Sequence, residues 1–193
     1  MRNILLSICV CSVMGRRSNF LPKILDQLDQ QTSNFKDVEI LVLLDNKHKM
    51  LGDKRNDLVA ISQGKYIVFV DDDDRLSDDY VSTLRDAILN NDVDVINFIV
   101  SVSLNKGPYK PCYYSMTYKD DYNMPESYHR LPNHICCIKR SLAINTPYKR
   151  LLRAEDFAYS HDLHPKLKSE YNIDKVLYYY DFNIDTTETQ KQI

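Results

Sequence analysis

Long apolar runs alternate, in the first half of the chain, with segments whose apolar positions repeat at helical spacing. The runs are continuous and rich in β-branched residues, which is typical of strands that are covered on both faces of a sheet. They cover residues 4–13 (ILLSICVCSV), 38–45 (VEILVLLD), 65–71 (KYIVFVD) and 93–103 (VDVINFIVSVS). The chain therefore begins with four predicted buried strands.

Three predicted helices separate these strands, at residues 19–31, 54–64 and 77–91. Gly64 is predicted to end the second helix, and Ser77 is predicted to cap the third. The order βαβαβαβ predicts an α/β fold in a single domain, with a mainly parallel central sheet flanked by helices.

Two of the predicted strands end in an acid, at Asp45 and Asp71. The carboxyl ends of parallel strands lie on one edge of the sheet, and ligands of such folds bind outside that edge. We therefore expect a functional site around Asp45 and Asp71.

The pattern changes after residue 103. Residues 106–132 are rich in Tyr and Pro and have only a weak period, which predicts an irregular or mobile segment. Beyond it the pattern predicts a short strand within 134–143, a helix at 153–167 and a late strand at 175–182.

Composition and charge narrow the class of protein. With 193 residues, of which 44% are hydrophobic, the chain can bury a core of its own. Its 25 Lys and Arg residues nearly balance its 27 Asp and Glu residues, so no global field favours nucleic acid or an anionic membrane. The apolar runs are too short to cross a bilayer, and the start shows no cleavage pattern for a signal peptide. The five cysteines lack the spacing of a zinc site, and reduced thiols fit a cytoplasmic protein best.

Four consecutive aspartates, Asp71–Asp74, follow the third predicted strand directly. Most charge runs are solvated turns, but this one begins where a buried strand ends. Hard divalent cations bind carboxylates together with substrate phosphates, and a cation would offset the repulsion among the four acids. An EF-hand loop is excluded because Leu76 stands where that loop needs glycine. A phosphatase with an aspartate nucleophile, of the haloacid dehalogenase pattern, is an alternative, although Arg75 stands where that pattern has a small residue.

Residues 4 to about 100 resemble the nucleotide-sugar half of family 2 glycosyltransferases of the GT-A fold. The resemblance rests on an ordered set of features. These are a first strand that leads into an arginine-bearing turn (SVMGRR), Asp45 after the second strand, the pair Arg55 and Asn56, Gly64 before the third strand, and the Asp-x-Asp of Asp71 and Asp73. Farther on, PNHICCIKRSL resembles the strand after the family's acceptor-side segment, and AEDF resembles its Glu-Asp motif.

The resemblance implies a metal-dependent, inverting transfer of a sugar from a nucleoside-diphosphate sugar, with UDP favoured. It implies that residues 1–103 bind the donor and that residues 104–193 bind the acceptor. Asp71 and Asp73 are the candidates for binding Mn²⁺ or Mg²⁺. The candidates for contact with the nucleotide sugar are Arg16, Asp45, Arg55, Asp71 and Asp72.

The Glu-Asp motif implies the catalytic residues. An inverting transfer needs a base that takes the proton of the acceptor hydroxyl, and Asp156 matches that base. Glu155 is expected to orient the acceptor or to support Asp156. His134 and His161 are candidates for an acceptor contact or a metal ligand.

The acceptor stays open between a glycan and a hydroxymethylated base in DNA. The chain resembles small viral or phage transferases, which would act in the host cytoplasm, and the basic segment 139–153 offers a DNA contact next to Asp156. Tyrosines within residues 109–128 can stack on sugars or bases. A module that binds a nucleotide sugar without transferring it is the other alternative, beside the phosphatase.

Overall fold

A computed structural model describes residues 3–185 of the chain. Its strands are β1 (Leu6–Val13), β2 (Val38–Asp45), β3 (Tyr66–Asp71), β4 (Arg75–Leu76), β5 (Val95–Leu104), β6 (Lys110–Tyr114), β7 (Tyr122–Met124), β8 (Ser127–Arg130), β9 (Cys137–Lys139) and β10 (Glu170–Phe182). Its helices are α1 (Leu21–Thr32), α2 (Leu51–Ile61), α3 (Tyr80–Asn90), α4 (Arg140–Ile144) and α5 (Glu155–Leu163), with short 3-10 turns at Met14–Arg16 and His164–Lys166. The predicted domain also includes residues 1, 2 and 186–193, which lie outside the described residues.

The strands form one mainly parallel sheet that joins both parts of the chain. β1 lies between β2 and β3 and is parallel to both. β9 runs antiparallel between β3 and β5, and β10 pairs with β5 in parallel. The five long strands β1, β2, β3, β5 and β10 therefore run in one direction. This confirms the predicted α/β fold, with a single central sheet flanked by helices. The prediction that β2 is buried on both faces is wrong, because β2 is an edge strand and Val42 and Leu44 are 40% and 38% exposed.

The register of the parallel strands brings their acidic ends to one edge of the sheet. Val13, the last residue of β1, lies opposite Asp45 of β2. On the other side of β1, Cys11 lies opposite Asp71 of β3. β1 itself is buried from Leu6 to Val10, so the strand that separates the two acids is held firmly in the core.

The helices pack through apolar stripes and fall into two groups. α1 lies beside α3, and α2 lies beside α4 and α5. In α1 the buried stripe consists of Leu21, Ile24 and Leu28, at the three- and four-residue spacing of a helix face. None of the helices between residues 3 and 185 has the length and apolar character needed to cross a bilayer.

The prediction of an irregular segment at residues 106–132 is wrong, because β6, β7 and β8 lie within it. β6 pairs with β5 and extends the sheet. Across β6, β8 and β7, the residues Tyr113, His129 and Tyr122 lie side by side in register. The three strands are only three to five residues long, which is too short for a period to be visible in the sequence.

Gly64 does not end α2 as a left-handed cap. The helix ends at Ile61, and none of the described glycines has a positive φ. Gly64 instead lies where the chain passes very close to β1. A Cβ at this position would lie 2.6 Å from the nitrogen and Oγ of Ser7 and 2.6 Å from the carbonyl oxygen of Tyr66.

Ser77 is not the cap of the third helix. α3 begins at Tyr80, and Asp79 occupies the N-cap position. The reason is β4, which pairs with β10 and is followed by a hydrogen bond of 2.9 Å from the Ser77 N–H to the Leu177 carbonyl. This pairing keeps Ser77 beside the sheet, so the helix starts later.

We expect Gly64→Ala to lower the free energy of unfolding by about 1–3 kcal/mol, because the added methyl group has no room beside Ser7. Urea denaturation would measure the change. Gly15→Ala is the matched control, since nothing lies within 4 Å of its Cβ, and its effect is expected to stay within about 0.5 kcal/mol. Equal stability of the two variants would contradict the close approach at Gly64.

Candidate active site

Two clefts open at the carboxyl edge of the sheet and meet there. The acidic cleft is lined by the four aspartates and by several cations and has a volume of about 170 Å³. The sheet cleft, of about 430 Å³, has a floor made by β5, β6, β8 and β10 and a wall made by the start of α5. The residues that line both clefts are Leu51, Asp71, Glu155, Tyr180 and Phe182. They form the junction at which a group bound in one cleft can meet a group bound in the other.

The four aspartates divide into two partly exposed and two buried side chains. The side chains of Asp71 and Asp73 are 28% and 26% exposed. Asp72 and Asp74 are buried, although they too line the acidic cleft. Asp71 and Asp73 are therefore the two acids with oxygens available to a ligand in the cleft.

Asp74 is fixed by β10. Its carboxylate accepts hydrogen bonds from the Tyr178 hydroxyl at 2.7 Å and from the Asp181 N–H at 3.2 Å. The same hydroxyl accepts the Asp71 N–H at 3.0 Å, so Tyr178 joins the first and last of the four acids. Burial, together with the charges of Asp71 and Asp73, raises the pKa of Asp74 well above its ordinary value. Asp74 therefore fixes the aspartate turn against β10, and its carboxylate is occupied by these hydrogen bonds.

Arg16 holds the middle of the run. Its guanidinium pairs with Asp72 and, at 3.0 Å, with Asp73. Ser12 Oγ donates a second hydrogen bond to Asp72, and the ring of Phe20 lies 4.9 Å from the guanidinium carbon. Arg16 is 7% exposed and lines the acidic cleft. Arg16 and Asp72 therefore bind each other in the structure. Their predicted contacts with a nucleotide sugar stay predictions.

The two exposed acids differ in their electrostatic environment. Burial raises the pKa of Asp73 to about 6, and the charges of Asp71 and Asp72 add to the rise. Burial also acts to raise the pKa of Asp71, but His134 and Arg55 outweigh it and hold that pKa below its ordinary value. At neutral pH both carboxylates are ionised. The surroundings of Asp73 disfavour its ionised form, and a bound cation would stabilise that form.

Arg55 is fully buried and joins two acids from different elements. Its Nη1 donates to Glu155 Oε1 at 2.9 Å, and its Nη2 donates to Asp71 Oδ1 at 3.4 Å. The rings of Phe69 and Tyr148 lie 5.8 Å and 5.4 Å from the guanidinium carbon. The structure thus gives Arg55 two protein carboxylates as partners, and its contact with a donor phosphate stays a prediction.

His134 lies at the junction of the clefts. Its Nε2 is 3.3 Å from Asp71 Oδ2, and its carbonyl oxygen accepts the Phe69 N–H at 3.1 Å. The side chain is buried, and Nδ1 has no hydrogen-bond partner among the described residues. The structure therefore brings His134 to the predicted site, and its role as acceptor contact or metal ligand stays a prediction.

The Glu-Asp motif forms the first two residues of α5, and its two side chains lie in different environments. Ala154, just before the helix, has a φ of 59°, a left-handed conformation that is uncommon for a residue with a Cβ. Glu155 is buried against Arg55. Asp156 lines the sheet cleft, and its Oδ1 accepts the Phe157 N–H at 2.8 Å. Asp156 therefore faces the cleft that Glu155 helps to shape.

Two predicted site residues do not line either cleft within the described part of the chain. Asp45 pairs with Lys54 and accepts the Lys49 N–H at 2.9 Å. Nε2 of His161 lies 3.2 Å from Asp120, in the loop between β6 and β7. The structure does not bring Asp45 or His161 to the junction of the clefts, and their predicted roles stay untested.

Sequence reasoning missed Ser12, Lys54 and Tyr178. Lys54 is 3% exposed, lines the acidic cleft and donates through Nζ to the Ser12 carbonyl at 2.8 Å. Lys54 stands directly before the Arg-Asn pair, which is a signal in the sequence. Tyr178 lies within a run of three tyrosines, and only the register of β10 selects it.

Most of the charge in the basic segment 139–153 is paired within the fold. Four of its five basic side chains contact acids or a helix end, and the fifth, Arg153, is exposed. The contacts are those of Lys139 with Asp92, Lys149 with Asp162, Arg150 with Asp53, and Arg140 with Ser62 and the Ala60 carbonyl. Most of the charge that a polyanion would need is therefore already paired.

Asp71 and Asp73 suit a hard divalent cation in the chemistry of their oxygens. Within residues 3–185, no three His, Cys, Asp or Glu side chains are arranged to hold a metal ion by themselves. Mg²⁺ is usually held by one or two carboxylates together with substrate phosphates, so two acids suffice when the ligand brings phosphate oxygens. The raised pKa of Asp73 agrees with this fit, because a cation would stabilise the ionised form.

The comparisons with known proteins agree with this geometry. The family model of Glycosyl transferase family 2 matches residues 17–157. The structure of S. aureus TarS 1–349 in complex with UDP-GlcNAc superposes with a TM-score of 0.70 at 14% identity, over 98% of this chain and 61% of that chain. The complex of TarS 1–349 with UDP gives a TM-score of 0.66 at 16% identity, over 94% and 62%.

At these identities the likeness to TarS shows a shared fold. The chain spans about three fifths of the length of these TarS chains. No curated protein matches the chain in sequence. The family match leaves out β1 and β10, which supply Ser12 and Tyr178 to the site.

We expect Asp73→Asn to stabilise the metal-free protein at pH 8 by about 2 kcal/mol. The pKa of Asp73 is about 6 in the folded chain and 3.8 ordinarily, so its ionisation costs stability as the pH rises from 4 to 6, and the cost is complete above pH 6. The gain should therefore shrink as the pH falls from 6 towards 4. Thermal unfolding at several pH values, in the presence of a chelator, would measure it. Asp78→Asn, a change at an exposed acid, is the control, and an equal effect of both variants would contradict the crowding at Asp73.

We expect Arg55→Lys to destabilise the fold by about 3–5 kcal/mol, because one ammonium group cannot bridge Asp71 and Glu155 and leaves a buried charge unpaired. Chemical denaturation would measure this loss. Arg17→Lys, the same exchange at an exposed neighbour of Arg16, should change stability by less than about 0.5 kcal/mol. Similar midpoints for the two variants would show that the Arg55 bridge contributes little.

Proposed function

The chain belongs to glycosyl transferase family 2. We propose that it is a glycosyltransferase that moves a sugar from a UDP-sugar to an acceptor hydroxyl in a metal-dependent, inverting reaction. One observation carries the proposal. The acidic cleft, with Asp71 and Asp73, and the sheet cleft, with Asp156, meet at Asp71 and Glu155. A donor in the first cleft and an acceptor in the second would therefore be in contact at carboxylates.

The acidic cleft suits a nucleoside diphosphate. It places the cations Arg16, Lys47, Lys49 and Lys54 in the same walls as the exposed acids. Guanidinium and ammonium groups bind phosphate oxygens, while a carboxylate pair selects a diphosphate that is accompanied by a divalent ion. UDP is favoured because TarS, which has the same fold, is known in complexes with UDP and UDP-GlcNAc.

Asp71 and Asp73 would hold Mn²⁺ or Mg²⁺ through their exposed oxygens. When bound, the ion neutralises the diphosphate as it leaves. The protein contributes the fixed positions of the two acids. Arg55 binds the carboxylate of Asp71, Tyr178 accepts its backbone N–H, and Arg16 pairs with Asp73.

Asp156 is the proposed base. It takes the proton of the acceptor hydroxyl, whose oxygen forms a bond to the anomeric carbon of the sugar. The bond from that carbon to the diphosphate breaks at the same time, and UDP leaves with the electron pair. Asp156 lines one cleft and the diphosphate is proposed to occupy the other, so a single displacement with inversion is consistent with this arrangement. Glu155, held by Arg55, positions the first turn of α5 from which Asp156 projects.

The test measures the release of UDP from a panel of UDP-sugars in the presence of Mn²⁺, Mg²⁺ or a chelator. We expect release only with a divalent ion. Asp73→Asn should remove the response to metal, and Asp156→Asn should lower kcat by about 10²–10⁴ with little change in UDP binding. The controls are Asp78→Asn, near the aspartate run, and Asp162→Asn, on the same helix as Asp156.

Several results would contradict the proposal. Full activity in the presence of the chelator would show that the transfer needs no metal. Full activity of Asp156→Asn would show that another residue is the base. Tight binding of UDP without any transfer would favour a binding module. Hydrolysis of an aryl phosphate that is lost in Asp71→Asn would favour the phosphatase alternative.

A further inference from the structure

We propose that the acceptor is an uncharged glycoside whose apolar aglycone packs on the floor of the sheet cleft. This inference rests on the proposed function, because it names the acceptor of the same transfer. It follows from the floor of the cleft, the polar side chains of its lining and the pairing of its charges.

The floor of the sheet cleft is mainly apolar, and Arg130 of β8, opposite Tyr114, is the charged side chain that its described strands contribute. The apolar residues of the floor are in register across four strands. Tyr180 lies opposite Val102, Phe182 opposite Leu104, and Val100 opposite Cys112, which in turn lies opposite Tyr128. All seven line the cleft, and Leu104 is 46% exposed. An apolar group placed here would leave water and gain contact with aliphatic and aromatic side chains.

The rest of the cleft lining carries both kinds of side chain. Phe157 and Ile135 are apolar, and the polar members include Asp156 and Ser160 of α5 together with Asn133 and His134. These polar groups surround the junction at Asp71, where the transfer would occur. An acceptor that fills this cleft therefore presents hydroxyl groups to the polar side chains and apolar surface to the floor. A glycoside has this division, with its sugar at the junction and its aglycone on the sheet.

The charges of the cleft disfavour an acceptor that carries phosphate. Its lining contains two arginines and four carboxylates. Arg55 binds Asp71 and Glu155, and Arg130 lies 3.8 Å from Asp121. Among the described lining residues, no arginine or lysine is left without a carboxylate partner. The acidic cleft has four cations, and a divalent ion there would help to balance a diphosphate. The sheet cleft offers a phosphate only two paired arginines beside four carboxylates, so an uncharged acceptor is favoured there.

The same reasoning decides between the two acceptor classes that the sequence left open. A base that is flipped out of DNA could enter a cleft of about 430 Å³, but its flanking phosphates need several cations near the opening. The basic segment 139–153 is the group that the sequence suggested for this contact, and four of its five charged side chains contact acids or a helix end. The geometry therefore favours the glycoside.

The test compares KM values for octyl and methyl glycosides of the same sugars, below the concentration at which octyl glycosides form micelles. The readout is acceptor-stimulated release of UDP, and single- and double-stranded DNA with hydroxymethylated bases form a second arm. We expect the octyl glycosides to have KM values at least about tenfold lower than the methyl glycosides. Leu104→Ser, at a half-exposed floor position, should reduce this octyl-to-methyl ratio about threefold or more. Leu89→Ser, at an exposed leucine of α3 outside both cleft linings, should leave the ratio unchanged.

The outcomes separate the two proposals. Equal KM values for octyl and methyl glycosides, or the strongest stimulation by DNA, would overturn the acceptor proposal and leave the transfer standing. UDP binding, measured by calorimetry, without stimulation by any glycoside would also overturn it. A chain that neither binds UDP nor releases it would contradict the proposed function itself, and the acceptor proposal with it.

Discussion

The site depends on one buried cation. A guanidinium removed from water must be paired with carboxylates, and Arg55 finds them at the end of β3 and at the start of α5, in Asp71 and Glu155. The next residue, Asn56, exchanges two hydrogen bonds of 2.9 Å and 2.8 Å with the backbone of Tyr148. Two consecutive residues of α2 thus fix the acids of both clefts and the segment that joins α4 to α5. The Arg-Asn pair is therefore a structural joint between the parts of the site, whichever ligand binds there.

Much of the fold could be predicted because β1, β3 and most of β5 are buried and show it in their composition. The apolar run of β2 looks the same in the sequence, although that strand lies at the edge of the sheet. The edge that carries the site followed from Asp71 at a strand end, and the family resemblance added Asp156. Short strands could not be predicted in this way, because β7 and β8 are stabilised by cross-strand partners more than by their own pattern. The position of β9 between β3 and β5 could not be predicted either, because it depends on which strands pair in the assembled sheet.

The details of the site depended on residues that lie far apart in the sequence. The four aspartates look equivalent as a string, but β10 buries Asp74 through Tyr178 and leaves Asp73 facing the cleft. The basic segment looked like a surface for DNA, and acids such as Asp53 and Asp92 pair with its charges. Charge in a sequence becomes a binding surface only where the fold leaves it without a partner.

The position of β9 also limits how the chain can be divided. It is the strand between β3 and β5, although it is made from residues 137–139, well after both. A chain that stopped at residue 103 would leave the facing edges of β3 and β5 without their central partner. The two halves of the chain are therefore inseparable as folding units, and residues from both halves line each of the two clefts. During synthesis, the middle of the sheet has to wait for the second half of the protein.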